Sequence, residues 1–393
     1  MERPEIRPMR IAYVTETYPP ELNGVALTVA RAVQHLRARG HAVELIRPRQ
    51  PGDAAGPGAS EWLTRGWPIP MYPDLRFGYA SAASLRRHFE QTRPDLVHLA
   101  TPGPLGWKAL RAARSLRLPT TSEFRTNFHQ YSRYYRLGAA AALVLRAMRY
   151  FHNRSGRTFV PTQAAARELA AAGFRNLAVV GRGVDTARFS PEWRSADLRT
   201  SWDAAGNAPV LLCVGRVAAE KNIALALRAY EAVRRRRPDA RMVVVGDGPQ
   251  RAALAAAHPD VRFVGTQQGD ELAACYASAD LFLFPSLTDT FGNVTLEALA
   301  SGLPVVAFDV AAAAEHVVDG SSGVLVAADD EAGYVAAVEA LAQQSQRLDA
   351  MRPAAVAAAR KARWDEILAR FETELQDTID ADQAPDEAAA VVA

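Results

Sequence analysis

Only two cysteines, Cys213 and Cys275, occur in the 393 residues. One falls in an apolar strand-like run and the other in a helix-like stretch, so reduced core thiols are expected rather than a disulfide framework. No uninterrupted apolar segment approaches the ~20 residues that cross a bilayer. The opening MERPEIRPMR lacks the apolar core of a secretory signal, so a cytoplasmic location is expected. Charge of one sign is also scarce: 46 Lys+Arg against 43 Asp+Glu leave a net +3. That balance, with no zinc-type Cys/His spacing and no aromatic-basic RNA motif, argues against a nucleic-acid partner. An Asp-x-Asp pair of the kind that holds a divalent metal occurs at Asp380 and Asp382, but among Ala, Gln and Pro it reads as a frayed end. The three-glycine dinucleotide fingerprint is missing after the first strand, which disfavours a nicotinamide or flavin.

What is present is an apolar content of 49% in a chain long enough for two domains of ordinary size. The stretch LFLFPSLTDTFGNVTLEALASGLPVVAFD, Leu281 to Asp309, carries the most information. Leu281–Phe284 has the length and aromatic content of a buried parallel strand. A polar turn with Asp289 and Phe291-Gly292-Asn293 follows, and from Val294 the residues Leu296, Leu299 and Ala300 recur at helical spacing. The first N–H groups of such a helix suit an anion, and Gly292 lets it approach. The helix dipole supplies only ~0.3–1 kcal/mol at an exposed site, so side chains must supply more. Asp289 and Glu297 could hold hydroxyls on either side of that anion, and a phosphate flanked by two polyols is a sugar nucleotide.

The opening strand, MRIAYV, leads through a Pro-rich loop and Asn23-Gly24 into an amphipathic helix, then a second strand. This is the start of a doubly wound nucleotide-binding domain. Asn23-Gly24 reads either as a backbone N–H offered to a phosphate or as a simple turn. His98 ends the strand DLVHLA; a lone His there is more often a satisfied core residue than a catalyst. From Arg125 to Arg157 there is no Asp or Glu, while seven arginines interleave with aromatic and aliphatic residues. The pattern fits either a helix lying on an anionic membrane surface or a solvated basic helix with a core-facing stripe. A second strand-loop-helix series begins near Pro209, with Gly215-Arg216 and Glu220-Lys221-Asn222 at its first strand end.

A carboxylate, seven residues, a Glu and an Ala-x-Gly-x-Pro-Val tail, here Asp289, Glu297, Ala300, Gly302, Pro304 and Val305, resemble the signature of family 4 glycosyltransferases. The usual first residue is Glu, so Asp289 is a departure that shortens the side chain and keeps the charge. Gly215-Arg216 and Glu220-Lys221 resemble the family's Gly-Arg to Glu-Lys segment. The resemblance implies an α/β protein of GT-B architecture, with two doubly wound Rossmann-like domains facing a central cleft. The implied division is residues 1–190 for an acceptor-side domain, 191–207 for a hinge, 208–362 for a donor-nucleotide domain, 363–380 for a helix packing back on the first domain, and 381–393 for a disordered tail.

The implied activity is that of a retaining hexosyltransferase, with mannose from GDP-mannose favoured as donor and a lipid or glycan as acceptor. Arg216, Lys221 and Asp289 would be catalytic, the two cations neutralising the leaving diphosphate so that no cofactor or metal is required. Asn23, Gly24, Gly215, Val264, Gly265, Thr266, Phe291, Gly292, Asn293, Val294 and Glu297 would bind the donor. His98, Arg125 and His129 are possible sugar or acceptor contacts, although Arg125 stands where many relatives carry His. Three alternatives remain: a UDP-sugar-dependent glycolipid glycosyltransferase, a sugar-nucleotide epimerase or hydrolase, and a non-catalytic sugar-nucleotide-binding or membrane-associated scaffold. The basic stretch 125–157 would carry any peripheral contact with the inner face of a membrane.

Overall fold

The computed structural model describes residues 7–21, 24–50, 53, 60–69, 72–124, 139–204, 206–287 and 293–383. It divides into two units, residues 1–180 with 368–393, and residues 181–367. In the first unit the strands are β1 (Arg10–Val14), β2 (Ala42–Pro48), β3 (Glu61–Ile69), β4 (Tyr72–Tyr79), β5 (Leu96–Leu99), β6 (Thr120–Glu123), β7 (Arg157–Val160) and β8 (Leu177–Val179). They form one sheet in the order β4-β3-β2-β1-β5-β6-β7-β8. All neighbours are parallel except β3 and β4. The apolar runs follow from that layering, since a parallel strand covered by helices on both faces has no side to turn to water. Helix starts are set by local chemistry. Ser81 and Thr162 accept from the N–H three residues on, and Pro104 opens the helix Pro104–Ser115, where its missing N–H costs nothing.

The second unit has strands β9 (Val210–Val214), β10 (Arg241–Val245), β11 (Arg262–Gly265), β12 (Leu281–Phe284), β13 (Val305–Phe308) and β14 (Gly323–Val326). They form a parallel sheet in the order β11-β10-β9-β12-β13-β14. The strand order reverses between β9 and β12, which pair through Leu211 with Leu281 and Leu212 with Phe282. Two apolar layers cover the sheet, one around Phe282, Tyr276 and Leu296 and the other around Tyr230, Phe308 and Tyr334. Both cysteines are free and buried, and burial pushes the Cys213 thiol up to about 12 and the Cys275 thiol up to about 11.

The segment expected as a hinge at 191–207 belongs to the second unit instead. It forms a short turn at Pro191–Trp193 and a helix at Ala196–Ser201. Arg194 and Arg199 both reach the Asp280 carboxylate, at 2.8 and 2.9 Å, and Arg199 also donates to the Ser278 and Ala208 carbonyls. A stretch tied down by guanidinium bonds to Asp280 is not a linker, which its polar composition could not reveal. The boundary correspondingly falls at 180/181 rather than 190.

The final helix, Trp364–Gln383, gives Leu368 onward to the first unit. Phe371 meets His98 and Phe159 edge-on, at 5.2 and 5.4 Å between ring centroids. Beside it the buried Glu372 carboxylate is bonded to His41 at 2.8 Å and to His35 and Arg39 at 3.3 Å. Burial pushes this acid up, but the bonds to His41, Arg39 and His35 together hold it below the usual carboxylate range. Its contribution is therefore present above that range and lost as pH falls through the folded value. Glu372→Ala is expected to lower the urea-unfolding free energy by ~3 kcal/mol near neutral pH, since it strands buried partners of a carboxylate. Glu372→Gln should lose the difference from wild type in acid, where the native carboxyl is itself protonated.

Candidate active site

The carboxyl ends of β9, β10, β11 and β12 lie along one edge of the second sheet, and their loops are laced together. Gly215 donates to the Val245 carbonyl at 3.0 Å, Val217 to the Asp247 carbonyl at 2.9 Å, and Gly246 to the Gly265 carbonyl at 2.8 Å. Gly246 adopts φ +135, and a Cβ there would sit 2.0 Å from the Gly215 carbonyl oxygen, so the close approach of these turns requires glycine. On the other side of the reversal, the Ser286 hydroxyl donates to the Glu220 carbonyl at 3.4 Å. The β9 and β12 loops thus face each other at the topological switch point, where ligands of open parallel sheets bind.

Into this crevice the β9 loop brings two cations. Gly215 continues into Arg216, and a turn at Ala219–Lys221 ends on Asn222, whose left-handed φ of 49 starts the helix Ile223–Arg236. Arg216 is 67% exposed and only loosely paired with Glu220 at 3.8 Å. Such an exposed pair is worth ~0–1 kcal/mol, so the guanidinium remains available to phosphate oxygens. Lys221 is half-buried at the end of the same turn.

The β12 side supplies the helix Asn293–Ala300. Asn293 Oδ1 is buried and has no hydrogen-bond partner among the described residues, an acceptor that a ligand hydroxyl would satisfy. Val294 packs on the core beneath. One turn on, Glu297 accepts a 2.9 Å bond from the hydroxyl of Tyr276, a fully buried residue. Burial pushes the Glu297 carboxyl up to about 7 against the opposing Tyr276 bond. Tyr276 itself is raised well above its ordinary range by burial and by Glu297, so it stays a donor. Sequence reasoning missed Tyr276, because a Tyr inside AACYAS gives no sign of what it faces. It also missed the orphaned side-chain acceptor of Asn293, having assigned that residue's backbone N–H.

Of the remaining expected residues, Val264 and Gly265 end β11, with the Val264 carbonyl taken by the Gln267 side chain at 3.0 Å, and Thr266 is exposed beyond them. Gly24 opens the helix Gly24–Ala38 of the first unit. His98 is corrected as a sugar or acceptor contact. It is fully buried, with Nδ1 2.8 Å from the Thr121 hydroxyl and Nε2 3.2 Å from Glu123, and it packs on Tyr13 and Phe371. Asn23, Arg125, His129, Asp289, Phe291 and Gly292 lie outside the described residues.

Two doubly wound units built on parallel sheets are the architecture of a GT-B glycosyltransferase. The profile described as "Glycosyltransferase Family 4" matches residues 22–188, and that of "Glycosyl transferases group 1" matches residues 208–344. A GDP-mannose-dependent alpha-mannosyltransferase of Mycolicibacterium smegmatis is 34% identical over 376 residues, 93% of this chain and 98% of that one. The sulfoquinovosyl transferase of Arabidopsis thaliana is 31% identical, covering 77% of this chain and 60% of the plant protein. Among solved structures, sucrose-phosphate synthase from Thermosynechococcus elongatus superposes with a TM-score of 0.73 at 18% identity, over 95% of this chain and all of that one. The chain belongs to glycosyltransferase family 4.

The desolvated Glu297 carboxyl generates a test. Its folded value of about 7 lies above the ordinary ~4.3, so the protonated form favours folding. That contribution is complete below the ordinary value and is lost as pH climbs to about 7. Ligand-free wild type is expected to lose ~3 kcal/mol of unfolding free energy through this group over that interval, and Glu297→Gln to remove that slope. Tyr276→Phe should move the midpoint to still higher pH. Urea titrations at a series of pH values read both.

Proposed function

We propose that the protein transfers mannose from GDP-mannose to a lipid or glycan acceptor with retention of configuration. The carrying observation is the switch-point site itself, in a chain aligned over nearly its whole length with a relative named for that donor. Arg216 and Lys221 meet the diphosphate as it leaves, where negative charge grows. Two charge-assisted contacts of ~1.5–3 kcal/mol each handle that charge, so the mechanism calls for no metal. Glu297, held by Tyr276, takes the ribose hydroxyls as a carboxylate, and Asn293 offers the orphaned Oδ1 to a sugar hydroxyl. Asp289 holds donor-sugar hydroxyls, and a departing phosphate oxygen takes the acceptor's proton.

A UDP-sugar donor with a glycolipid product is the second reading, kept open because the similar plant protein is named for a sugar other than mannose. Thermal unfolding in the presence of GDP, UDP and their sugar conjugates separates the two, because a ligand that binds only the folded state raises stability by mass action. Stabilisation by GDP and GDP-mannose is expected; stabilisation by UDP compounds alone overturns the first reading for the second. Lys221→Ala should lower turnover at saturating donor by ~10- to 100-fold, and unchanged turnover would remove Lys221 from the mechanism. Full-rate breakdown of donor without acceptor would mark a hydrolase or epimerase instead.

The acceptor reading includes a membrane surface at the cytoplasmic face. No helix among the described residues is long and apolar enough to cross a membrane. The helix Ala139–His152 buries Leu145, Met148 and Phe151 but leaves Leu143 68%, Val144 45% and Tyr150 50% exposed, alongside Arg146 and Arg149. Apolar tips among exposed arginines suit an anionic interface. Replacing Leu143 and Val144 together by Ser should reduce co-sedimentation with phosphatidylglycerol vesicles several-fold, roughly as expected for losing two partly inserted aliphatic side chains. Equal sedimentation with neutral and anionic vesicles would refute the contact.

A further inference from the structure

A second polar cavity lies in the first unit, away from the strand ends that carry the expected acceptor-side loops. It encloses about 710 Å³ at the amino-terminal ends of β6 and β7 and just before β8, closed on one side by the final helix through Thr378, Ala381 and Asp382. Because β6 is four residues long, the cavity sits ~13 Å across the sheet from the carboxyl edge. Nothing in the proposed transfer reaction uses it.

Four arginines line it: Arg114, Arg117, Arg154 and Arg157. Two acids accompany them. Glu374 pairs with Arg157, and Asp382 stands on the wall, so four cations against two carboxylates leave an excess of two positive charges. Among the described residues no carboxylate pairs with Arg114, Arg117 or Arg154. Arg114 donates instead to the Arg154 carbonyl at 3.0 Å, and the Arg154 guanidinium lies over the Tyr150 ring at 3.5 Å. Both contacts orient the guanidinium groups without neutralising them. Ser155, 2% exposed, also lines the cavity, and among the described residues its Oγ has no hydrogen-bond partner. A buried hydroxyl is rarely left unpaired in a finished structure unless water or a ligand completes it.

We propose that this cavity binds a phosphate group, carried by a soluble phosphate ester or by a lipid headgroup. The charge fits, since a phosphate monoester carries about −1.5 to −2 at neutral pH. The donors fit as well: guanidinium forks match phosphate oxygens in pairs, and the Ser155 hydroxyl supplies a neutral donor. The exposed Leu143, Val144 and Tyr150 stand on the helix that leads directly into Arg154, so a headgroup arriving from a lipid surface is one source. A soluble metabolite that reports on donor or acceptor supply is the other.

The test uses the full chain and inorganic phosphate, titrated calorimetrically against chloride at matched ionic strength. The Arg114→Ala/Arg117→Ala double variant, two exposed positions whose loss spares the core, is expected to weaken phosphate binding ~10- to 100-fold, and Ser155→Ala to weaken it less. Arg216→Ala is expected to leave this binding intact. Wild type that shows no phosphate binding above the chloride control, or binding abolished by Arg216→Ala and kept by the double variant, overturns the proposal. Sedimentation with phosphatidylcholine vesicles, with and without phosphatidylglycerol, separates the sources. Loss of anionic-vesicle binding in the double variant, with release of wild type by inorganic phosphate, identifies a headgroup. Loss of calorimetric binding with unchanged sedimentation identifies a soluble phosphate.

Discussion

The second unit depends on one largely buried carboxylate. Asp280 immediately precedes β12 and accepts from Arg194 at 2.8 Å, Arg199 at 2.9 Å, Arg352 at 2.8 Å and the Val210 N–H at 2.9 Å. Burial would push this acid up, yet Arg194, Arg199 and the Val210 N–H outweigh it and hold it below the usual carboxylate range. An uncompensated charge at such depth costs several kcal/mol, so the arrangement is stable only with its partners in place. Those partners come from the segment before β9, from the start of β9, and from the helix Ser345–Arg360. The carboxylate therefore fixes where β9 and β12 begin relative to each other, and Leu211 pairs with Leu281 one residue later.

What is fixed at the amino ends is delivered at the carboxyl ends. With β9 and β12 starting level and running four to five residues, the turn at Gly215 and the turn at Pro285 emerge side by side, and Ser286 can reach the Glu220 carbonyl. A slip of one residue would send alternate side chains to the opposite face of the sheet, carrying Phe282 and Leu283 out of their layers and moving the cationic loop with them. The site's precision is thus inherited from a charge cluster on the far edge of the sheet, supported by glycines that let Gly215, Gly246 and Gly265 stack their turns in hydrogen-bond contact.

Much of this was legible from the residues. Apolar runs bounded by glycine gave the strands, and the spacing from Asp289 to Glu297 gave the strand, loop and helix that the β12 side contains. Arg216 and Lys221 were singled out by their resemblance to the family's Gly-Arg to Glu-Lys segment, and both lie in the turn after β9. The hinge was misread because 191–207 is polar and turn-rich, and composition cannot show that Arg194 and Arg199 share an acid 86 and 81 residues away. His98 was left between two readings because a strand pattern does not say which face meets Thr121 and Glu123. Tyr276 and the excess of arginine around Ser155 escaped for the same reason, since both are juxtapositions made by tertiary packing between elements whose sequence patterns are ordinary.

On the proposed reading, side chains rather than the helix terminus dominate the site. The dipole of the helix Asn293–Ala300 contributes ~0.3–1 kcal/mol toward an anion, whereas each guanidinium or ammonium bond to a phosphate oxygen contributes ~1.5–3 kcal/mol. The same comparison gives Glu297 its character. Its burial opposes the charged form enough to bring the carboxyl up to about 7, and Tyr276 supplies only one opposing bond. On the proposed reading, ribose hydroxyls would add the donors the carboxylate lacks, and bonds to the charged form lower a pKa. Donor binding and ionisation of Glu297 then favour each other, and the nucleotide sugar offsets the desolvation cost of the carboxylate.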